Sequence, residues 1–237
     1  YIGVLASDDK YLPEKIAAEV DFLENTGPEV AGCYGDGRFI DREGRLGQTM
    51  DYEPDGSWGN QFIGYLAWDI RLTLQASLRK ADVFDEIGEF DETFDFEDRD
   101  IFLRILSRYR LEYLPGERYL YRARSREEGA IRFDICDDDT QSIFEKHWND
   151  PHVKNLSPIE RRRLKAVMWR QLTRRCYSEY RFADLRHYAL RSLSEWPFDG
   201  EVYKLLARSL LGERLVSVLR AGKKRMRRLM RKRSRSE

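Results

Sequence analysis

Two carboxylates stand side by side near the start of the sequence, and their type and position could serve chemistry. Asp8 and Asp9 occur in "LASDDKYLPEKI", where an apolar run ends and a helix-like pattern begins. Hard cations prefer oxygen ligands, and Mg²⁺ is usually held by one or two carboxylates plus substrate phosphates. In α/β sheets, ligands gather beyond the carboxyl ends of the strands. Taken alone, the pair fits a polar turn before a helix, and a divalent cation site is the alternative that its residue types leave open.

A second acidic group occurs in "FDETFDFEDRDIFLRI", just before a helical pattern. Acids at a helix N-terminus are favoured by the helix dipole by roughly 0.3–1 kcal/mol each, which accounts for Glu97 and Asp98 structurally. A loop-to-helix junction can also aim a carboxylate into a cleft, where it would act as a general base. Taken alone, this stretch fits both interpretations.

The elements that must position these acids are predicted to be strands alternating with helices. Residues 2–5 predict a short buried strand, and Pro13 fits the first turn of a helix that stops at Asn25. "EVAGCY" predicts a strand that Gly35 and Gly37 break, followed by a return strand at "RFID".

Between that return strand and the second acidic group, the pattern is mostly polar. Residues 46–62 predict a loop, "IGYLAWDIRLTLQASLRK" contains a strand, and "ADVFDEIG" predicts a short helix closed by Gly88. The acidic stretch leads into a helix that runs to about Tyr109, and "LEYLPGERYLYRAR" predicts two short strands around Pro115-Gly116. This alternation predicts an α/β domain over residues 1–125.

After about residue 126 the pattern is helical throughout, which predicts a separate helical region over residues 126–213. The candidate helices lie at 138–148, 158–176, 180–194 and 200–211. The last two resemble a degenerate tetratricopeptide-like hairpin, although too few helices follow one another to form a repeat array.

Composition restricts the classes of function. No run of 18 apolar residues occurs. The three cysteines, Cys33, Cys136 and Cys176, form no C-x-x-C pair, and the histidines are scattered, so no zinc site or histidine cluster is predicted. Lys and Arg balance Asp and Glu at 42 each, but residues 214–237 hold eleven basic residues against one acid.

That basic segment, 214–237, predicts an amphipathic tail. It could lie on an anionic membrane surface, gaining about 1 kcal/mol per basic residue close to the lipid. A solvated tail is the alternative. No aromatic residue separates the charges and the rest of the chain is acidic, so nucleic acid is not an expected partner.

Read together, the acidic motifs resemble those of the family 2 inverting glycosyltransferases, which have the GT-A fold. That family shows a strand, L-D-x-D-D, three residues, Pro and a helix, followed by hydrophobic-G-x-F-D-E and then E-D-x-D-x-x-x-R. This sequence has "LASDDKYLPEKI", "IGEFDETF" and "FEDRDIFLRI" in that order, over roughly residues 1–125. One departure is Ala6, which stands where the family often has an acid.

The resemblance implies a role for each motif residue. Asp9 would be the ligand of Mg²⁺ or Mn²⁺ in the D-x-D-type motif, and Asp8 would lie beside it, towards the nucleotide ribose or the metal. Asp98 would be the base that deprotonates the acceptor hydroxyl, with Glu97 as its neighbour. The loop under the acceptor would consist of Gly88, Phe90, Asp91 and Glu92.

The implied activity is transfer of a single sugar, of hexosyltransferase type, with inversion. The donor would be a nucleotide sugar and the acceptor a glycan or a lipid-linked precursor of cell-surface polysaccharide. The enzyme would be cytoplasmic or peripheral at the inner face of the plasma membrane. The Q-x-x-R-W motif of processive synthases does not occur, which favours single transfer.

The resemblance also implies that the sequence begins inside a domain. A complete GT-A domain starts with a nucleotide-binding half of roughly 80–100 residues, which we expect upstream. We expect this piece to be inactive alone. The alternative function is that of a non-catalytic interaction protein, with a degenerate transferase-like domain and helical hairpins.

Overall fold

The computed structural model describes residues 1–50, 52, 58–122 and 133–210, with side chains from residue 137 onward in the last range. The chain forms two compact units, Tyr1–Asn155 and Leu156–Glu237. The predicted boundary at residue 125 and the predicted basic tail at 214–237 both fall outside the described residues. The first unit extends to Asn155 and therefore includes helices that the sequence pattern assigned to the helical region.

The first unit contains a six-stranded mixed sheet. The strands are β1 (Ile2–Gly3), β2 (Lys10–Tyr11), β3 (Val30–Ile40), β4 (Leu46–Met50), β5 (Ser77–Arg79) and β6 (Arg110–Arg122). Their order is β1-β5-β3-β6-β2, and β4 pairs with β3 outside this path. The long central strands β3 and β6 run parallel, and the other pairs are antiparallel.

Helices flank this sheet, so the first unit is a mixed α/β domain, which confirms the predicted class at that level. They are α1 (Lys15–Glu24), α2 (Gln61–Leu66), α3 (Val83–Ile87), α4 (Glu97–Leu106), α5 (Phe133–His147) and α6 (Pro151–Lys154). The Asn60 side chain accepts from the Ile63 N–H and begins α2, and Gly88, at φ 77°, ends α3 as its position predicted.

The glycines of β3 do not break the strand, and this corrects the prediction of a return strand at "RFID". A Cβ at position 37 would lie 2.4 Å from the ring of Tyr119, and one at position 35 would lie 2.9 Å from the carbonyl oxygen of Leu114. Glycine here lets β6 approach closely rather than turning the chain. The irregularity appears as register shifts between β3 and β6 near Asp36.

Two neighbouring expectations are corrected in the same way. "LEYLPGERYLYR" forms the single strand β6 through Pro115-Gly116, because the parallel pairing with β3 resumes on the far side of the irregularity. Residues 46–62 hold β4 and the start of α2 rather than a loop alone.

A buried ion pair fixes α1 against the sheet. Lys15 Nζ lies 2.6 Å from Glu19 Oε2 one helical turn away, and both side chains are fully buried. Lys15 also donates to the carbonyl of Ala76 at 3.3 Å. Burial lowers the pKa of Lys15 and raises the pKa of Glu19, so each group depends on the other to stay charged.

The second unit consists of α7 (Pro158–Glu179), α8 (Phe182–Glu195) and α9 (Gly200–Ser209), close to three predicted helices. Ser157 and Glu160 form a capping box that begins α7, and Tyr180, at φ 64°, ends it. The helices share a core of buried residues that includes Cys176, Leu185, Ala189 and Val202. Among the described residues, no helix has the length and apolar character needed to cross a membrane.

Candidate active site

A cleft of about 390 Å³ lies in the first unit where β6 ends. It is lined by Ala6, Asp8, Asp9, Gln75, Asp95, Phe96, Glu97, Asp98, Tyr121 and Arg122. The structure thus brings together the four acids that the motifs assign to metal binding and catalysis, although the two pairs are far apart in sequence.

Arg122 holds the turn that carries the first pair of acids. Its backbone N–H donates to Asp9 Oδ1 at 2.8 Å, and its Nε donates to the carbonyl of Asp8 at 2.9 Å. Its Nη1 donates to the carbonyls of Asp41 and Arg42 at 2.6 and 2.9 Å. The guanidinium is therefore engaged with backbone carbonyls and serves to position the turn.

The acid pair fits a cation that arrives with a phosphate ligand. Asp9 is 8% exposed, and its N–H closes the turn on the carbonyl of Ala6 at 3.1 Å, while Asp8 is half-buried. Within the described residues, no group of three or more His, Cys, Asp or Glu could enclose a metal ion. One or two carboxylates suffice for Mg²⁺ or Mn²⁺ when substrate phosphates complete the coordination. Asp9 and Asp8 meet that lower requirement.

The second pair of acids begins helix α4. Burial raises the pKa of Asp98, and the neighbouring charge of Glu97 raises it further. Arg99 points elsewhere, since its buried guanidinium donates to the carbonyls of Tyr65 and Leu66 at 2.8 and 3.0 Å. Asp98 is therefore a carboxylate with increased proton affinity at the edge of a cleft, as a general base requires.

Helix α5 holds the segment that precedes α4. The buried carboxylate of Asp139 accepts hydrogen bonds from the N–H groups of Asp95 at 2.6 Å and Phe96 at 3.1 Å. These two residues line the cleft and lead directly into Glu97 and Asp98. Asp139 thus fixes where α4 starts and where its first acids point.

The third acid of the same motif, Asp100, is structural. It is fully buried and accepts from Arg104 Nε at 2.8 Å, contacts His147 Nε2 at 2.9 Å and pairs with Lys146 Nζ at 2.9 Å. Burial alone would raise the pKa of Asp100, but hydrogen bonds from His147 and Lys146 and the charge of Arg104 outweigh it, so the pKa is lowered. These bonds tie α4 to α5.

The residues assigned to the acceptor lie outside the lining of the cleft. They are Gly88, Phe90, Asp91 and Glu92. Asp91 pairs with Lys146 Nζ at 2.8 Å, Phe90 packs near Phe84 with ring centres 6.4 Å apart, and Glu92 is exposed. Their described contacts are structural, and a role in acceptor binding stays a prediction.

Sequence reasoning missed two residues that shape the cleft, Asp139 and Gln75. Asp139 sits in the run "CDDDT", where consecutive acids inside a helix could have signalled a specific contact. The "YR" pair, Tyr121 and Arg122, matches the family resemblance, and the fold adds that Arg122 holds the turn of Asp8 and Asp9. Gln75 carries no motif signal, since it occupies an irregular segment before β5.

The first unit is thus an α/β domain with an acidic cleft at one end of its sheet. No protein-family model and no curated protein matches the sequence. The cleft and the motif resemblance are therefore the grounds on which a function can be proposed.

Proposed function

We propose that the protein is a metal-assisted, inverting glycosyltransferase that transfers one sugar from a nucleotide sugar to a hydroxyl group. A GT-A-like fold for the mixed sheet is part of this proposal. The observation that carries it is the meeting of Asp8–Asp9 and Glu97–Asp98 in one cleft, from segments in the order and spacing of the glycosyltransferase motifs.

The charge of the cleft supports a cation-dependent ligand. Five carboxylates line the cleft. Arg122 is the only basic residue in this lining among the described residues, and its guanidinium donates hydrogen bonds to backbone carbonyls. A nucleoside diphosphate would be repelled by such a surface unless a divalent cation came with it. Asp9, with Asp8 beside it, would hold Mg²⁺ or Mn²⁺, which neutralises charge on the departing diphosphate.

Asp98 would act on the acceptor. As the acceptor oxygen attacks the anomeric carbon, the bond from that carbon to the diphosphate oxygen breaks and its electron pair leaves with the nucleotide. The acceptor hydroxyl proton passes to the Asp98 carboxylate, whose raised pKa favours accepting it. A single displacement inverts the configuration, and no covalent intermediate with the protein is needed.

The acceptor is proposed to be a glycan or a lipid-linked precursor in cell-surface polysaccharide synthesis. The basis is the composition of the basic segment 214–237, which suits an anionic membrane surface at the cytoplasmic face. The enzyme would then be cytoplasmic or peripheral on that membrane.

The proposal is tested by Mn²⁺-dependent hydrolysis of nucleotide sugars by the native full-length protein. We expect Asp98→Asn to lower kcat at least about 100-fold, the lower end for a general base. Asp9→Asn should raise the Mn²⁺ concentration needed for half-maximal rate. The matched control is Asp85→Asn, which changes an exposed acid of α3 outside the cleft.

Two outcomes would count against the site. If Asp9→Asn and Asp98→Asn hydrolyse the donor as the parent does, the assigned residues are wrong. If the native protein neither binds nor hydrolyses any nucleotide sugar with Mn²⁺, a non-catalytic protein that interacts through its helical unit is the better account.

A further inference from the structure

One side-chain amide lines the acidic cleft among the described residues, and no motif contains it. Gln75 lies in the segment between α2 and β5, is half-buried, and faces the cleft together with both pairs of acids. Within the described part of the chain, its side chain makes no hydrogen bond. The amide is therefore available to a ligand.

The backbone that carries this amide is firmly held. Leu74 and Ala76 on either side of Gln75 are buried, at 8% and 0% exposure. The Ala76 N–H donates to the carbonyl of Thr73 at 3.2 Å, and the Ala76 carbonyl accepts from the Gly35 N–H at 3.2 Å. The turn is thus tied both to itself and to the central strand β3. The backbone therefore presents the Gln75 side chain to the cleft from a fixed point, which is the part of preorganisation that the fold supplies.

The chemistry of the cleft leaves a particular task for an amide. Ionised carboxylates only accept hydrogen bonds, whereas a sugar hydroxyl both donates and accepts. The five acids of the cleft can accept hydrogen bonds from hydroxyl groups. When ionised, they cannot donate a hydrogen bond to a hydroxyl oxygen. The Gln75 amide offers two N–H donors and one carbonyl acceptor, and it carries no charge that would attract or repel a diphosphate.

We propose that Gln75 hydrogen-bonds a hydroxyl group of the transferred sugar and thereby determines which sugar the cleft accepts. The inference rests on the proposed glycosyl transfer and adds the residue that recognises the sugar. The ligand group is a ring hydroxyl, because the diphosphate is matched to the cation held by Asp9.

The test compares a set of nucleotide sugars that includes UDP-glucose and UDP-galactose, which differ only in the configuration of one hydroxyl group. The native full-length protein is assayed with Mn²⁺ and UDP-glucose, UDP-galactose, UDP-N-acetylglucosamine and GDP-mannose. We expect Gln75→Leu to lower kcat/KM for the preferred donor by about tenfold, the upper range for one neutral hydrogen bond. The ratio of kcat/KM between epimeric donors should shrink by a similar factor.

A second readout separates recognition of the sugar from a merely structural role. Inhibition by free UDP or GDP should be unchanged in Gln75→Leu, because neither contains the transferred sugar. Gln75→Glu keeps the shape but removes the N–H donors, so it should lose the same discrimination. The matched control is Gln141→Leu, which removes a half-buried amide of α5 outside the cleft.

Each remaining outcome overturns a defined claim. If Gln75→Leu keeps the parent's donor preference while Asp98→Asn loses activity, Gln75 does not read the sugar and the proposed function stands. If Gln75→Leu weakens the binding of free UDP or GDP by the same factor as the binding of the donor, Gln75 supports the diphosphate or the fold instead. If the parent acts on no donor and binds none, both proposals fall.

Discussion

The backbone N–H of Arg122 and the carboxylate of Asp9 are joined by a 2.8 Å hydrogen bond that spans 113 residues of sequence. The same arginine binds the Asp8 carbonyl through its Nε. The end of strand β6 therefore sets the position of the acid that we propose as metal ligand. Arg122 has the positive charge expected of a residue that binds phosphate, but here it positions the acids proposed to bind the cation.

The first prediction concerns that arginine. Arg122→Lys should raise the Mn²⁺ concentration for half-maximal rate by about tenfold, since a lysine cannot reproduce the fork that holds the carbonyls of Asp8 and Asp41. The pH dependence set by Asp98 should not move. Mn²⁺ titrations of donor hydrolysis measure the effect, with Arg45→Lys as the control, because Arg45 lies in an exposed ion pair with Asp41. An unchanged Mn²⁺ requirement would contradict the assignment.

The second prediction concerns pH. The rate should fall as pH drops through the pKa of Asp98, which burial and the charge of Glu97 hold above the ordinary value of about 3.9. Glu97→Gln removes the neighbouring negative charge, so the acidic limb of kcat/KM should shift to lower pH. Profiles with Asp85→Asn, which changes an exposed acid of α3 outside the cleft, give the baseline. A shift to higher pH would show that another group controls the limb.

The third prediction concerns the buried carboxylate of Asp100. Asp100→Asn removes the charge that faces Arg104, Lys146 and His147, and should cost roughly 3 kcal/mol of unfolding free energy at pH 7. Because the pKa of Asp100 is lowered in the folded protein, its stabilisation is present above the unfolded value of about 3.9 and is lost as pH falls below it.

Urea unfolding at neutral and acidic pH measures both parts of this effect. The gap between parent and Asp100→Asn should narrow below about pH 4, because Asp100 takes up a proton there in the unfolded parent and only at lower pH in the folded one. A gap that stays constant down to about pH 3 would mean that the charge of Asp100 does not contribute.

The fourth prediction concerns the ion pair of α1. Glu19→Ala should destabilise the protein by roughly 3–5 kcal/mol, because Lys15 would be left buried without its carboxylate. Replacing both residues, with Lys15→Met and Glu19→Leu, should restore stability to the parent's level or above. Unfolding free energies of the single and double variants measure the effect. A double variant that is less stable than the parent would show that the ion pair itself supplies net stability.

Local signals in the sequence account for most of the elements. The helix-ending Gly88 and the apolar spacing along α4 lie within one or two turns of the features they predict, so they are readable without the fold. The motif order likewise anticipated that Asp9 and Asp98 would share a cleft, while their chemical roles stay predictions.

What the sequence could not reveal depends on distant partners. Gly37 looked like a break because its reason lies in another strand, where the ring of Tyr119 would come within 2.4 Å of any Cβ at that position. Asp139 and Gln75 belong to no motif, and each gains meaning only when segments far apart in sequence meet. A single polar side chain that contacts a distant segment produces no periodic pattern in the sequence from which its position could be predicted.

The bond from Asp139 to the N–H groups of Asp95 and Phe96 has a consequence for dividing the molecule into transferable parts. A cut at residue 125 would keep all three acidic motifs and discard the carboxylate that holds the start of α4. A cut after Asn155 would keep both. Chimeras that exchange the C-terminal helices should therefore be joined after Asn155, where the acidic cleft passes to the new protein with its support intact.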